Sequence, residues 1–329
     1  MKKTLIAVSC AILAVAVGMT GCSKKAPEKM VLRYAENQPQ DYPTTKAAYK
    51  FAELVEQKTN GRIHIDVYYG AQLGDEKSVI EQLQFGAIDF TRVSLSPLAE
   101  FDKSLNILQL PYLYKDAAQM WRVLEGDLGE KFLTNVSSSN LIGLSWFDAG
   151  ARNFYNSKRP VTKLEDLKGL KIRVQESQLM MGMVNAVGAN ATPMAYGEVY
   201  SSLQTGVIDG AENNWPSYES TSHYEVAKYY VLDEHTRVPE MQMISKATWE
   251  KLSPADQKIV KECALESAKV ERELWAAKEK ASEEKVRAGG STITQLEPGE
   301  KEKFQKAMAP LYAQYGAGYE DIIKAIQSK

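Results

Sequence analysis

Cysteine and histidine are scarce in this chain of 329 residues, and their scarcity limits its chemistry. Two of the three cysteines lie within the first 22 residues, so Cys263 alone remains for the body of the protein. A disulfide within that body is therefore excluded, and its core must suffice for stability. The three histidines do not pair at the spacing of metal ligands: His64, His223 and His235. We expect neither a metal site nor a cofactor.

The motifs of several large enzyme classes are also absent. There is no Gly-x-Ser-x-Gly elbow, no Walker loop and no Gly-x-Gly-x-x-Gly fingerprint after a predicted strand. Cys263 lies among apolar residues of a predicted helix, which favours a core residue over a nucleophile. The 42 acidic side chains leave a catalytic carboxylate pair open as an alternative, but no motif nominates one. We therefore predict that the protein is not an enzyme and has no catalytic residues.

Long apolar runs are confined to the N-terminus. A basic start precedes an apolar run over 5–17, which is too short for a permanent membrane helix and is typical of a secretory signal. Small residues directly before Cys22 look like a bacterial lipoprotein signal. The pattern predicts a lipoprotein-type signal peptide over 1–21, a lipid on Cys22 and a polar tether over 22–30. The expected location is periplasmic or extracytoplasmic, with that lipid as a membrane anchor. Met19 stands where leucine is usual, so cleavage without lipidation is the alternative.

The chain also lacks an excess of positive charge. Once 21 residues are removed, 308 remain, with 42 acidic side chains and 38 basic ones, because two lysines leave with the signal. Such a chain lacks the basic face that nucleic acids need, so no nucleic-acid partner is expected. No later apolar run reaches the roughly 18 residues of a membrane helix. About 300 residues exceed what one compact core serves, which predicts two lobes.

One short sequence occurs twice, as "LQFGAID" (83–89) and "LQTGVID" (203–209). Each copy ends a predicted helix, and Gly86 and Gly206 fit the left-handed position that closes a helix. A short apolar strand follows each copy. Chance is the alternative, because helix–glycine–strand order is common in α/β proteins. The preferred interpretation is two similar α/β lobes, each built around its own sheet.

Apolar periodicity places the main elements. Strands are predicted over 31–36, 62–69, 141–148 and 152–157 and within 169–177, and helices over 44–58 and 298–316. Ser253 before Pro254 is a strong helix start, and the helix that it opens runs to about Arg287. That helix is longer than one lobe needs, so we expect it to brace both.

Polar side chains follow several predicted strands, and ligands of two-lobed α/β proteins bind at such strand ends. These side chains are Arg92, Ser94, Arg152, Arg173, Asn213 and Asn214. Arginines can offer a bidentate fork to a carboxylate, and asparagines can hydrogen-bond hydroxyls. Taken alone, Arg173 is better explained as a surface charge or a structural ion pair, and the two asparagines can be explained as a turn. Both interpretations stay open at this point.

Three longer segments closely resemble the solute-binding proteins of TRAP transporters, the DctP family: "GAQLGDEKSVIEQLQFGAIDF", "GLKIRVQES" and "GANATPMAYGEVYSSLQTGVIDGAENN". The resemblance runs from about Val31 to the C-terminus. It implies an α/β, two-lobed fold like that of periplasmic binding proteins, with a long helix that spans both lobes. The implied first lobe covers 31–149 plus about 239–278, and the second covers 150–238 plus about 279–329.

The resemblance also implies a function and partners. The expected protein is a monomeric receptor that binds a small organic acid outside the cytoplasm. It would deliver that acid to the membrane subunits of a TRAP permease, which a sodium gradient drives.

The same resemblance assigns roles to individual residues. It makes Arg173 the main carboxylate partner and Arg152 a second arginine facing the ligand. Arg152 is placed to interact with Glu212 and His235 at the hinge. The remaining implied ligand-binding residues are Asn213, Asn37, Glu76, Ser94, Arg92, Tyr196 and Asn214.

Three further segments are similar to the branch that binds hexuronates such as glucuronate and galacturonate: "NQPQDYPTT", "ENNWPSYEST" and "YYVLDEHT". A C4-dicarboxylate is an alternative ligand, with Arg92 or Arg152 as the second cationic clamp. Ser94 stands where the sialic acid branch often has an acidic residue. An exported enzyme that uses Glu76 as acid or base on sugar acids is a competing function, and so is a sensory receptor.

Overall fold

The computed structural model describes residues 29–329. The predicted signal peptide over 1–21, the lipidation site Cys22 and nearly all of the tether lie outside the described residues. Met30, which the sequence placed at the end of the tether, begins the first strand. Among the described residues, no helix combines the length and the apolar character that crossing a membrane requires.

Within this range, strands and helices alternate along most of the chain. The strands are β1 (Met30–Ala35), β2 (Ile63–Tyr68), β3 (Phe90–Ser94), β4 (Leu141–Phe147), β5 (Ala151–Asn156), β6 (Lys171–Val174), β7 (Asn190–Pro193), β8 (Gly210–Asn213), β9 (Tyr229–Leu232), β10 (Thr236–Arg237), β11 (Glu240–Ser245) and β12 (Thr292–Gln295). The α-helices are α1 (Pro43–Lys58), α2 (Glu76–Gln84), α3 (Leu95–Leu98), α4 (Ala117–Leu124), α5 (Asp127–Asn135), α6 (Gln178–Ala186), α7 (Val199–Thr205), α8 (Trp215–Ser220), α9 (His223–Val226), α10 (Lys246–Trp249), α11 (Pro254–Ala288), α12 (Glu300–Met308), α13 (Pro310–Tyr315) and α14 (Glu320–Ser328).

Most of the predicted elements are confirmed within one or two residues. The strands predicted over 31–36 and 62–69 are β1 and β2, and the helix predicted over 44–58 is α1. The single helix predicted over 298–316 is wrong. It is divided into α12 and α13, because Pro310 has no N–H group with which to continue the helical hydrogen bonds.

The strands form two sheets with a related order. In the first sheet the order is β2-β1-β3-β11-β4, with β1 parallel to β2 and β3 and with β11 antiparallel to both its neighbours. In the second the order is β12-β9-β5-β8-β6-β7, with β10 on β5, and β6 is parallel to β7 and β8. Each sheet and its helices form one lobe, which confirms the two-lobed α/β fold. We call them the first lobe and the second lobe.

The repeated sequence occupies the same place in both lobes. Gly86 follows α2 with φ 71°, and Gly206 follows α7 with φ 76°. Both glycines therefore take the left-handed conformation that the sequence predicted. The strands that come next are β3 and β8, the third of the parallel strands in each sheet.

The aspartate that ends each copy of the repeat accepts a hydrogen bond from an equivalent backbone nitrogen in each lobe. Asp89 accepts a hydrogen bond from the backbone nitrogen of Arg33 at 2.8 Å. Asp209 accepts one from the backbone nitrogen of Lys171 at 2.9 Å. Each carboxylate thus ties its strand to the adjacent parallel strand, so the repeat is a structural one.

Two chain crossings and one long helix join the lobes. β4 leads into β5 through residues 148–150, and β10 leads into β11 through 238–239. Because β5 pairs with β10 and β4 with β11, the two crossings run side by side. The 35-residue helix α11 places Val260 in the first-lobe core and Val286 in the second-lobe core. The predicted brace is confirmed.

The helices that follow α11 contact both lobes. α12 and α13 pack against α6 of the second lobe. Tyr312 of α13 donates a hydrogen bond to the carbonyl of Pro111 at 2.8 Å. Gln119 of α4 donates one to the carbonyl of Ile326 in α14 at 3.0 Å. The last helix, α14, therefore lies against the first lobe. The exact limits of the two lobes remain a prediction.

Candidate ligand-binding site

A polar cleft lies between the lobes, where parallel strands of both sheets end. Its inner chamber is lined by Asn37, Gln38, Glu76, Arg92, Arg152, Arg173, Gln175, Tyr196, Asn213, Asn214, Ser217 and Glu240. An outer chamber of about 250 Å³ adjoins it and shares five of these residues: Asn37, Glu76, Arg173, Gln175 and Tyr196. Both lobes contribute to both chambers, so a ligand held there would touch the two lobes at once.

Arg173 is a buried cation without a carboxylate partner. It lies on β6 and is 3% exposed. Its Nε and Nη2 donate to the carbonyl of Met194 at 3.1 and 2.8 Å, and no carboxylate of the described residues forms an ion pair with it. Burial lowers the pKa of Arg173, because desolvation disfavours the charged form. Its guanidinium is therefore held in place but has no direct ion pair, so it is available to an anion.

Arg152, in contrast, is fully paired. Its Nε lies 2.5 Å from Oε2 of Glu212, and its Nη2 donates to Oε1 of the same carboxylate at 2.8 Å. Its Nη1 donates to Oδ1 of Asn213 at 3.1 Å. These partners neutralise Arg152, which still lines the inner chamber.

A chain of charged groups continues behind Arg152. Burial opposes the ionised form of Glu212, yet Arg152 and His235 lower its pKa to about 2. Burial also opposes a charged His235, but Asp233 at 2.8 Å and Glu212 at 3.4 Å raise its pKa to about 9. The backbone carbonyl of His235 accepts from Tyr112 of the first lobe at 2.9 Å. This network lies beside the crossing from β10 to β11, and the hinge role of Glu212 and His235 stays a prediction.

Arg92 is neutralised within the first lobe. Its guanidinium donates twice to Glu36, and Nη1 lies 3.1 Å from Oε2 of Glu240. Its Nη2 also donates to Oδ1 of Asn37 at 2.8 Å, which orients that amide. Arg92 lines the inner chamber, but its hydrogen-bonding groups are directed to protein partners.

Glu76 is a carboxyl group that titrates near neutral pH. It is the first residue of α2, after Asp75, whose side chain caps the helix. The backbone nitrogen of Ser94 donates to its Oε1 at 2.8 Å. Burial and the nearby Glu240 raise the pKa of Glu76 to about 7. Glu76 can therefore accept or donate a hydrogen bond, depending on its protonation.

The three asparagines differ in what they leave free. The side-chain oxygens of Asn37 and Asn213 accept from Arg92 and Arg152 respectively, so their amide nitrogens are the groups left for a ligand. Asn214 uses both ends: it caps α8 at 2.8 Å and donates to the carbonyl of Ala149 at 2.9 Å. Asn214 therefore shapes the wall more than it offers new hydrogen bonds.

The structure brings most of the predicted site residues together. Eight line the inner chamber: Arg173, Arg152, Asn213, Asn37, Glu76, Arg92, Tyr196 and Asn214. The hydroxyl of Tyr196 is buried there without a hydrogen-bond partner of good geometry. Ser94, Glu212 and His235 lie behind the wall and act on their neighbours. The backbone of Ser94 orients Glu76, and its hydroxyl lies 3.4 Å from Gln175 of the second lobe.

Four residues that line the inner chamber were missed from the sequence: Gln38, Gln175, Ser217 and Glu240. Among the residues that line only the outer chamber, His223 was also missed. Gln175 was within reach, because it is two residues after Arg173 and therefore on the same side of an extended chain. Glu240 was not, because nothing local shows that the first residue of β11 faces a chamber built by the other strands.

The geometry defines a class of protein. Two lobes enclose a polar chamber. It is lined by one buried cation without an ion pair, several amide groups and a titratable carboxyl group. Such a site is built to bind a small anion that also carries hydroxyl groups.

Comparison with known proteins identifies the family. The model of the bacterial extracellular solute-binding proteins, family 7 (DctP), matches residues 34–318. A solute-binding protein of Chromohalobacter salexigens is 46% identical over 277 residues, which cover 84% of this chain and 82% of that protein. The chain therefore belongs to the DctP family of TRAP solute-binding proteins.

Solved structures agree with this assignment. A TRAP periplasmic solute-binding protein from a Bradyrhizobium species, in complex with galacturonate, has a TM-score of 0.88 and 42% identity, over 91% of this chain and 99% of that one. Another, from Chromohalobacter salexigens with bound D-glucuronate, has a TM-score of 0.87 and 43% identity, over 90% of this chain and 99% of that one. The fold is that of a two-lobed solute receptor.

Proposed function

We propose that this protein is an extracytoplasmic receptor for a hexuronate, glucuronate or galacturonate, which it delivers to a TRAP permease. The single observation that carries the proposal is Arg173, a cation that is 3% exposed and lacks a carboxylate partner among residues 29–329. Keeping such a charge buried is costly unless an anion arrives to pair with it. A ligand carboxylate supplies that anion.

The state of the other two arginines favours a monocarboxylate over a C4-dicarboxylate. Arg92 is paired with Glu36 and Glu240, and Arg152 with Glu212. A second ligand carboxylate would have to displace one of these buried ion pairs, leaving a protein carboxylate unpaired in the core. The free amide nitrogens of Asn37 and Asn213 suit ring hydroxyls instead.

The chamber also suits the size and the polarity of one sugar acid. The carboxylate would bind Arg173 at the junction of the chambers, with the sugar ring in the outer chamber of about 250 Å³. The two similar receptors named above hold galacturonate and D-glucuronate, which supports this ligand class. Delivery to sodium-driven permease subunits, a monomeric state and an anchor on Cys22 complete the proposal.

Isothermal titration of the mature protein tests it. We expect one-to-one binding of glucuronate or galacturonate, with much weaker binding of succinate and sialic acid. Arg173→Ala should weaken binding about 100-fold or more, because a buried charge pair is lost. Lys171→Ala is the matched control, since Lys171 is on the same strand but exposed. Retained affinity in Arg173→Ala, or preference for succinate, would overturn the proposal.

An enzyme acting on sugar acids is the second candidate, because the pKa of Glu76 near 7 would suit an acid or base. NMR spectra of the sugar acid, recorded before and after long incubation with the protein, separate the two. Unchanged spectra support the receptor, and new resonances that vanish in Glu76→Gln support the enzyme.

A further inference from the structure

His223 is a buried residue of the cleft that the proposed carboxylate site at Arg173 does not use. It is 1% exposed, begins α9 and lines the outer chamber together with Arg173 and Tyr196. Its ring meets that of Tyr196 edge to face, with 6.4 Å between ring centroids. A histidine fixed in this position faces the part of the cleft where the sugar ring would lie.

One hydrogen bond fixes the orientation of this imidazole. Nδ1 of His223 lies 2.8 Å from the hydroxyl of Tyr155, which is on β5 and 1% exposed. Within residues 29–329, no polar atom forms a hydrogen bond with Nε2. Because Nδ1 is occupied and the ring lines the chamber, Nε2 is the polar atom left for a ligand.

The charge of the ring decides what it can bind. Burial, together with the nearby Arg173, lowers the pKa of His223 to about 3. The imidazole is therefore neutral at neutral pH and gives no charge to a second carboxylate. A neutral imidazole offers one donor and one acceptor, so with Nδ1 committed to Tyr155, Nε2 makes one directional hydrogen bond.

We propose that Nε2 of His223 hydrogen-bonds a ring hydroxyl of the sugar acid whose carboxylate is held by Arg173, and so helps to select the epimer. This inference rests on the proposed function, because it requires a ligand with a ring hydroxyl. Glucuronate and galacturonate differ only in the orientation of one hydroxyl. A single fixed hydrogen bond is sensitive to that difference, because the wrong epimer leaves a buried polar atom unpaired.

Titration of paired variants with both epimers tests this role. His223→Phe keeps a flat ring but removes Nε2. We expect it to weaken binding of the preferred epimer about ten-fold or more, and to bring the affinity ratio of the two epimers close to one. Tyr155→Phe should change the ratio in the same direction by less, because it releases the ring without removing it. Lys171→Ala should leave the ratio unchanged.

A second measurement covers the case in which His223→Phe fails to fold. In wild-type protein with ¹⁵N-labelled histidine, the preferred epimer should shift the Nε2 resonance of His223 while the ring remains neutral. An unchanged epimer ratio in a folded variant, or an unmoved Nε2 resonance, would overturn the role of His223 alone. Absence of hexuronate binding by the wild-type protein would instead overturn the proposed function, and this role with it.

Discussion

The carboxylate of Glu100 in the first lobe accepts a hydrogen bond from the backbone nitrogen of Gln178 in the second lobe, at 2.9 Å. Gln178 is the first residue of α6, so its N–H group lies at the positive end of a helix dipole. The contact bridges the mouth of the cleft, and neither residue lines the inner or the outer chamber. It exists only while the lobes are together.

We expect Glu100→Gln to speed ligand dissociation by about three- to ten-fold, because a charge-assisted hydrogen bond across the lobes is weakened. The association rate should change little, since the open state lacks the contact. Stopped-flow measurement of both rates checks this. Glu81→Gln is the control, because Glu81 borders the same mouth and, among the described residues, has no hydrogen bond to the second lobe. An unchanged dissociation rate in Glu100→Gln would contradict the expectation.

Two arginine variants should differ in their effect on stability. Arg152→Met leaves Glu212 buried without its main partner, and we expect it to lower the free energy of unfolding by about 3–5 kcal/mol. Arg173→Met removes a buried cation that has no ion pair, so the ligand-free variant should be as stable as the wild type or more stable. Thermal melts of the ligand-free proteins check both. A large loss of stability in Arg173→Met would show that Arg173 has a structural role.

Ligand binding should be accompanied by proton uptake through Glu76. Its pKa is already raised to about 7 by burial and Glu240, and Arg173 acts in the opposite direction. A carboxylate bound to Arg173 adds negative charge and offsets that lowering, so the pKa of Glu76 rises further. Between pH 7 and 8 the protein should then take up part of a proton.

Titration in buffers of different ionisation enthalpy measures this uptake. The observed enthalpy should increase with the ionisation enthalpy of the buffer for the wild type and stay nearly constant for Glu76→Gln. Glu279 has a pKa raised to a similar value by burial but lines neither chamber, so Glu279→Gln should behave as the wild type. An equal slope in Glu76→Gln would assign the proton to another group.

The two repeated glycines should tolerate alanine to different degrees. Both have positive φ, which costs an L-residue about 1–2 kcal/mol. A Cβ on Gly206 would meet nothing within 4 Å, whereas one on Gly86 would lie 3.0 Å from the Cβ of Ala247. Gly86→Ala should therefore destabilise the protein more than Gly206→Ala in denaturant unfolding. Equal losses of stability in the two variants would show that Ala247 can move away from the new Cβ without cost.

Much of this fold was accessible from sequence, because its signals are local. The start of α11 at Ser253-Pro254 and the left-handed glycines depend on neighbouring residues alone. β12 was missed, because a short strand is defined by its parallel pairing with the distant β9. α14 was missed as well, since it follows the last segment in which a helix was predicted.

The candidate site also has one part that local sequence predicts and one part that only the fold determines. The polar residues at the strand ends were found, and most of them do line one chamber. The positions at strand ends did not show which arginine lacks an ion pair, and Arg173 was singled out only by the family resemblance. Arg92 is neutralised by Glu36, 56 residues away, and Arg152 by Glu212, 60 residues away. Only the packed sheets bring these partners together and leave Arg173 unpaired.

The long helix α11 has a mechanical consequence. Its 35 residues extend about 52 Å, with Val260 held in one core, Val286 in the other, and Trp275 beside Tyr42 and Ala149 at the crossing between them. The lobes cannot rotate about their paired strands while this helix stays straight and keeps both ends packed. Opening must bend it or slide one lobe along it, and a bent helix stores elastic energy. The stiffness of α11 thus helps to set how readily the receptor releases its ligand.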